Sequence, residues 1–273
     1  RSRQKKTVKS ELNISSDHHH GHDVGERLYL HRHSVVHQIP PHIKILAGLL
    51  FIVVAVSTDI TNWPAFVAYF AIIITITQIA KLPIITVFKR SLIEVPFVLF
   101  ALLMPFFGTG EVVEVGSLNL YVDGLLAGAS IVVKGTLGIL VAINLSATTT
   151  AREILNGLEI LKMPTPMVQI ASFMLRYVNV VNDEMLRMAV ARASRGFEAT
   201  GVRQWPVLAT AAGALFIRSY ERGERVHLAM IARGYQGDLP KTEKINNSAR
   251  YWAIGLAVPF IALIISLLSR WVG

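Results

Sequence analysis

The chain has 273 residues, of which 52% are hydrophobic and only 16% charged, well below the roughly 25% charged residues of soluble domains. Its formal net charge is +9 and it contains no cysteine, which excludes disulfides, thiol nucleophiles and thiolate metal sites. Together with several long apolar runs, this points to an integral membrane protein whose Lys and Arg mark its cytoplasmic side, and away from a nucleic-acid binder.

Residues 1–38 are polar and sustain neither a helical nor a strand period, so they read as a flexible cytoplasmic arm. Arg1 to Lys9 is basic, but no apolar run follows closely enough for a secretory leader. A His-rich run follows, with His18, His19, His20, His22, His31, His33, His37 and His42. His18, His20 and His22 have the donors for a transition-metal ion. The same run also reads as a solubilising tail.

The first span is expected from Ile43 to Ser57. It is short for a hydrocarbon core that takes about 20 helical residues; Pro41 to Lys44 can extend it, with Lys44 snorkelling to the interface. A turn holding Asp59 and no basic residue leads to Pro64, which opens a second span, Ala65 to Ala80. Lys81 to Arg90 reads as a basic loop. The third span, Ser91 to Phe107, carries Pro96 and Pro105 and is expected to kink. A loop from Gly108 to Asp123 has three carboxylates and no Lys or Arg, and the fourth span is Gly124 to Ala147. An arginine-rich helical block occupies 151–250, and a fifth span runs from Tyr251 to Leu268. The expected division is therefore an arm (1–38), four spans (39–150), a cytoplasmic helical block (151–250) and a last span (251–273). Basic residues alternate with these spans in a way that places the N-terminus inside, with Arg270 as a small violation.

In the block, Met167, Ile170, Met174, Val178, Val181, Met185 and Met188 recur at steps of three and four, one face of a long helix. Asp183 with Arg187, and Glu221 with Arg225, are spaced for i,i+4 charge pairs. Pro164, Pro166 and Pro206 mark helix starts; Gly196, Gly201, Gly234 and Gly237 mark ends. One pattern occurs twice, in Ala193-Ser194-Arg195-Gly196-Phe197 and Ile231-Ala232-Arg233-Gly234-Tyr235. Its plain reading is a helix C-cap, with glycine in the left-handed conformation and arginine complementing the dipole. A second reading keeps the cap and adds a task. An arginine at an exposed helix end can fork onto a carboxylate while its stem packs in a groove. Two such ends suit a partner that presents the same surface twice.

Glu94 and Lys134 fall inside the third and fourth spans. They are expected to pair, or Lys134 to snorkel, in a structural role. Gln78, Asn144, Ser146 and Thr148 to Thr150 read as interhelical hydrogen-bond formers. The chain has no phosphate-binding G-x-x-x-x-G-K-S/T loop, no H-E-x-x-H and no G-x-S-x-G, so neither a catalytic site nor a cofactor is expected.

Several stretches resemble the CbiQ family, the transmembrane T component of cobalt-type energy-coupling factor (ECF) transporters. They are Ile39-Pro40-Pro41-His42-Ile43-Lys44, Leu161 to Pro164, Val168 to Tyr177, Asp183-Glu184 with Arg187-Met188, Ala193 to Phe197, and Ile217 to Arg222 running on to Tyr235. The resemblance covers about residue 35 to the C-terminus. It implies an all-α membrane protein of about five spans, non-catalytic, in the cell inner membrane. Two ATP-binding ATPase subunits and a small substrate-binding membrane subunit would be its partners. In that family two Ala-Arg-Gly motifs end coupling helices that each dock on one ATPase. By match, Ala193, Ser194, Arg195 and Gly196 form one tip, with Ser194 where alanine is usual, and Ala232, Arg233 and Gly234 form the other. The family leaves metal selection to the substrate-binding subunit. Two rival readings remain: a self-contained metal channel or secondary transporter using the His-rich arm and Glu94/Lys134, and a T component serving vitamin uptake.

Overall fold

In the computed structural model of the chain, the described residues are 29, 34–107, 112–115, 118–197, 205–237 and 248–272. The His18–His22 run and Gly201 lie outside them. Two compact units emerge: one holds Leu28–Gln169 and Pro240–Gly273, the other Ile170–Leu239.

The first unit contains α1 (Val35–Gln38), α2 (Pro41–Ser57), α3 (Trp63–Ile79), α4 (Ile84–Ser91), a 3-10 turn (Leu92–Glu94) and α5 (Val95–Phe107). A hairpin of β1 (Val112–Val115) and β2 (Leu118–Tyr121) follows, then α6 (Val122–Thr148), α7 (Ala151–Ile160), the start of α8 (Thr165–Ser194), and α10 (Ala249–Val272). The second unit contains the rest of α8 and α9 (Trp205–Ala232). Apart from the hairpin, the regular structure among the described residues is helical, as expected of an all-α membrane protein.

The stretches Ile85–Phe107, Val122–Thr148 and Ala249–Trp271 are long and apolar enough to cross a membrane, while α2 and α3 are apolar helices of 17 residues each. At 1.5 Å per residue, α2 and α3 reach about 25 Å, the short end of what spans a bilayer. Their core is aromatic and small-residue packing: Phe51 and Phe66 each make a T-shaped contact with Tyr69, with Leu137 and Ala262 closing the cluster from α6 and α10. Apolar helices in lipid gain little from the hydrophobic effect against one another, so buried hydrogen bonds help hold them. Thr58 Oγ1 lies 3.1 Å from both the Tyr69 hydroxyl and Ser266 Oγ, joining α3 and α10 to the residue that follows α2. Asn144 Nδ2 donates to Thr77 Oγ1 at 3.0 Å between α6 and α3.

Four local expectations change. First, Lys44 does not snorkel: its Nζ donates to the Thr148 carbonyl (3.0 Å) and Thr149 Oγ1 (3.1 Å), at the C-terminus of α6. The last carbonyls of a helix lack intrahelical donors, and a cation there also meets the dipole. Second, most of the basic loop Lys81–Arg90 is helix α4, opened by Pro83 as its N-cap. Third, the third span tightens into a 3-10 turn ahead of Pro96, at Leu92–Glu94. Proline has no N–H for a Leu92 carbonyl bond and its ring crowds that carbonyl, which instead accepts the Val95 N–H in a tighter turn. Fourth, the expected loop Gly108–Asp123 contains the antiparallel hairpin, in the register Val113↔Leu120 and Glu114↔Asn119.

Ser146 and Thr148 hydroxyls bond carbonyls of their own helix, at Ile143 and Asn144, not a neighbouring one. Thr150 is the N-cap of α7 in a reciprocal box: its Oγ1 accepts from the Glu153 N–H, and Glu153 Oε2 accepts from the Thr150 N–H.

Candidate functional site

The two repeated motifs end their helices with the same backbone. At the end of α8, the Gly196 N–H donates to the Ala193 carbonyl (3.0 Å) and the Phe197 N–H to Arg192 (3.1 Å). At the end of α9, the Gly234 N–H donates to Ile231 (2.9 Å) and the Tyr235 N–H to Met230 (3.0 Å). Both are Schellman caps, in which a left-handed residue lets two N–H groups turn back onto the last free carbonyls. Gly196 has φ +75° and Gly234 φ +85°, and a Cβ on either would meet open space. Glycine is needed here for its conformation, not for room.

In each cap the arginine is the residue just before the left-handed glycine. Arg195 and Arg233 are exposed, and their guanidinium groups form no hydrogen bond or ion pair among the described residues. Ser194 Oγ bonds back to the Val190 carbonyl at 3.0 Å, so the hydroxyl standing where an alanine is expected is satisfied inside its own helix. Each tip therefore carries, on a backbone set by the cap, an exposed guanidinium with its donors available.

A family model described as cobalt transport protein, CbiQ, matches residues 32–245, which include both tips. The chain belongs to the CbiQ family. It is accordingly a T component of the ECF transporter type, a multi-pass cell-membrane protein. It is similar to the energy-coupling factor transporter transmembrane protein EcfT of Listeria innocua, with 28% identity over 78% of this chain and 85% of that protein. For EcfT of Bacillus subtilis the identity is 26% over 77% and 84%. An uncharacterized protein of Methanocaldococcus jannaschii is 26% identical over 83% and 87%.

In this CbiQ-family chain the helices carrying the tips leave much of their apolar surface bare. No residue of α9 is buried. Phe216 is 72% exposed, Tyr220 67% and Met174 on α8 68%. A groove of about 340 Å³ between α8 and α9 is lined by Ile170, Phe173, Met174, Tyr177, Leu215 and Arg222, among others. Glu184 bridges the two helices. Its carboxylate accepts from Arg187 Nη2 at 2.8 Å on α8 and from Arg218 on α9. Hydrogen bonding to Arg187 first, and to Arg218 second, holds the Glu184 carboxyl below its ordinary value. The i,i+4 pair expected of Asp183 with Arg187 is thus replaced by Glu184 with Arg187 at i,i+3, and Glu221 meets Arg225 only at 4.0 Å. Spacing admits either carboxylate. What selects Glu184 is the second arginine, 34 residues away, which spacing within one helix does not reveal.

Glu94 and Lys134 do not pair. Glu94 is buried and accepts from Thr136 Oγ1 at 2.8 Å, while Lys134 Nζ donates to the Val56 carbonyl at 2.8 Å. Both polar groups are satisfied within the first unit. Among the described residues no group of three or more His, Asp or Glu side chains is placed to hold a metal ion.

Proposed function

We propose that this chain is the force-transmitting membrane scaffold of an ECF importer for cobalt, and that it performs no catalysis itself. Two ATP-binding subunits take the tips of α8 and α9, and a separate small membrane subunit carries the substrate. The observation that carries the reading is the pair of like-bonded, arginine-bearing Schellman caps on helices that fully bury one residue, Val168, between them. A 28-residue helix without a buried residue lacks the packing that normally stabilises helices in proteins, and exposed apolar patches of this kind mark interaction surfaces. Two equal tips fit a dimer of like subunits. An arginine fork fits a carboxylate in a groove on each.

Closure of the ATPase pair would then move the two tips together, and the Met-lined face of α8 allows repacking without loss of the fold. The cobalt assignment follows the description of the family model, and the ATPase and substrate subunits follow the resemblance. The N-terminus, α4 and the α8–α9 unit are assigned to the cytoplasm on the distribution of Lys and Arg.

Charge reversal tests the grip. Arg195→Glu or Arg233→Glu should each weaken co-purification of the ATPase subunits about tenfold or more, since breaking one desolvated charge pair costs about 2–5 kcal/mol. Membrane insertion should be unchanged and ATP-dependent cobalt accumulation should fall. Wild-type ATPase recovery and uptake in both variants would remove the assignment.

A further inference from the structure

We infer that the seam between α2 and α10 holds one anionic phospholipid, with its phosphate at Lys134 and Arg270 and an acyl chain along the helices. The two helices run in parallel. His42 meets Trp252 near one end, and Arg270 Nη2 donates to the Ser57 carbonyl at 3.0 Å at the other. Along the seam lies an apolar groove of about 470 Å³, lined by Leu50, Val54, Leu256, Phe260 and Leu263 among others. Beyond it, where α2 ends, is a polar cavity of about 710 Å³ lined by Asp59, Thr61, Asn62, Lys134 and Arg270 among others. An apolar groove on α2 and α10, and at the end of that pair a polar, cationic cavity to which α6 adds Lys134, have the chemistry of an acyl chain joined to a phosphodiester.

The cations have a plainer role as caps on the free carbonyls of α2. That role uses one N–H of each: Lys134 Nζ to Val56 and Arg270 Nη2 to Ser57. An ammonium has three donors and a guanidinium five, so most remain available. Asp59 lines the same cavity, yet neither cation forms an ion pair among the described residues. The site therefore carries one positive charge in excess, which matches a phosphodiester. Its depth also fits a headgroup. Trp63 is 71% exposed and Trp271 92%, each next in sequence to a cavity residue, and exposed tryptophans favour the headgroup level of a bilayer. Residues 122–133 of α6 continue past Lys134 against α5, whereas α2 stops.

The test uses the full chain, purified in detergent, delipidated, and titrated with phosphatidylglycerol, phosphatidylcholine or inorganic phosphate under native mass spectrometry. Wild type should retain phosphatidylglycerol about tenfold better than phosphatidylcholine. Lys134→Gln and Arg270→Gln should each bring retention down towards the phosphatidylcholine level, and Asp59→Asn should raise it. Arg270 is exposed in the last turn of α10, so its variant keeps the test decisive if Lys134→Gln fails to fold. Equal retention of both lipids by wild type, or wild-type phosphatidylglycerol retention by Arg270→Gln, overturns the inference. So does phosphate binding that the variants lose without any lipid preference, which would give the site to free phosphate. None of these readouts involves an ATPase.

Discussion

Arg195 and Arg233 are legible in the sequence because a Schellman cap is built from six consecutive residues, and each motif contains the last five of them. Nothing distant is needed to fix the backbone. Glu184 is the opposite case, since its role depends on Arg218 on another helix. It also supplies a pH dependence. Its folded-state carboxyl lies below the ordinary value of about 4.3, so the unfolded state binds its proton first. The bridge's contribution is therefore complete above about pH 4.3 and is lost as the pH falls through the lower folded-state value. Hydrogen exchange of the facing parts of α8 and α9, corrected for the intrinsic rate, should show protection that fades below that pH. In Glu184→Gln the protection should be weaker at neutral pH and its acid-dependent step absent. An unchanged acid step in that variant would assign the effect to another group.

At the scale of elements, α5 and α6 approach closely through Gly124 and Gly128. A Cβ at Gly128 would lie 2.6 Å from the Ala101 carbonyl oxygen, and one at Gly124 2.5 Å from that of Met104. The obstacle in both cases is backbone, which cannot rotate away. This is the small-residue contact that lets membrane helices pack without a hydrophobic drive. Gly128→Leu should separate α5 from the upper half of α6 and cost about 1–3 kcal/mol, the range for overpacking, read as a lower midpoint of thermal unfolding in detergent. An unchanged midpoint would mean that this contact adds nothing to stability. The glycine spacing stood in the sequence without naming its partner helix. The apolar runs were plain because length and composition alone define them, and their limits in the structure differ by a few residues. The hairpin is only locally legible: Val112-Val113-Glu114-Val115 and Leu118-Asn119-Leu120-Tyr121 flank a Gly-Ser pair, a hairpin signal inside a stretch whose carboxylates and lack of a long apolar run mark it as a loop between spans. The 3-10 turn at Leu92–Glu94 is half visible in the sequence: Pro96 announces a disturbance, and only the structure places it ahead of the proline.

At the scale of the whole molecule, the open matter is which end of the first unit faces the cytoplasm. Lys44 reaches Thr148 and Thr149 at the end where α2 starts and α6 finishes. Arg152, close by in the chain, belongs to α7, and that helix packs on the start of α2 through Gly157. The other end holds Asp59, with Lys134 and Arg270 as its cations. Those two are held by the carbonyls of α2, so backbone capping accounts for them and they carry little weight as orientation signals. The remaining asymmetry is what supports the proposal that Lys44 lies inside. Since the chain has no cysteine, single cysteines report the arrangement without background. Thr61→Cys and Gln236→Cys both replace exposed residues. In intact cells a membrane-impermeant maleimide should label Thr61→Cys at once and Gln236→Cys only after permeabilisation. The reverse pattern would turn the molecule over and carry both arginine tips away from any cytoplasmic ATPase. Labelling of both from outside would place an even number of crossings between them, which contradicts the expected three crossings from α4–α5, α6 and α3.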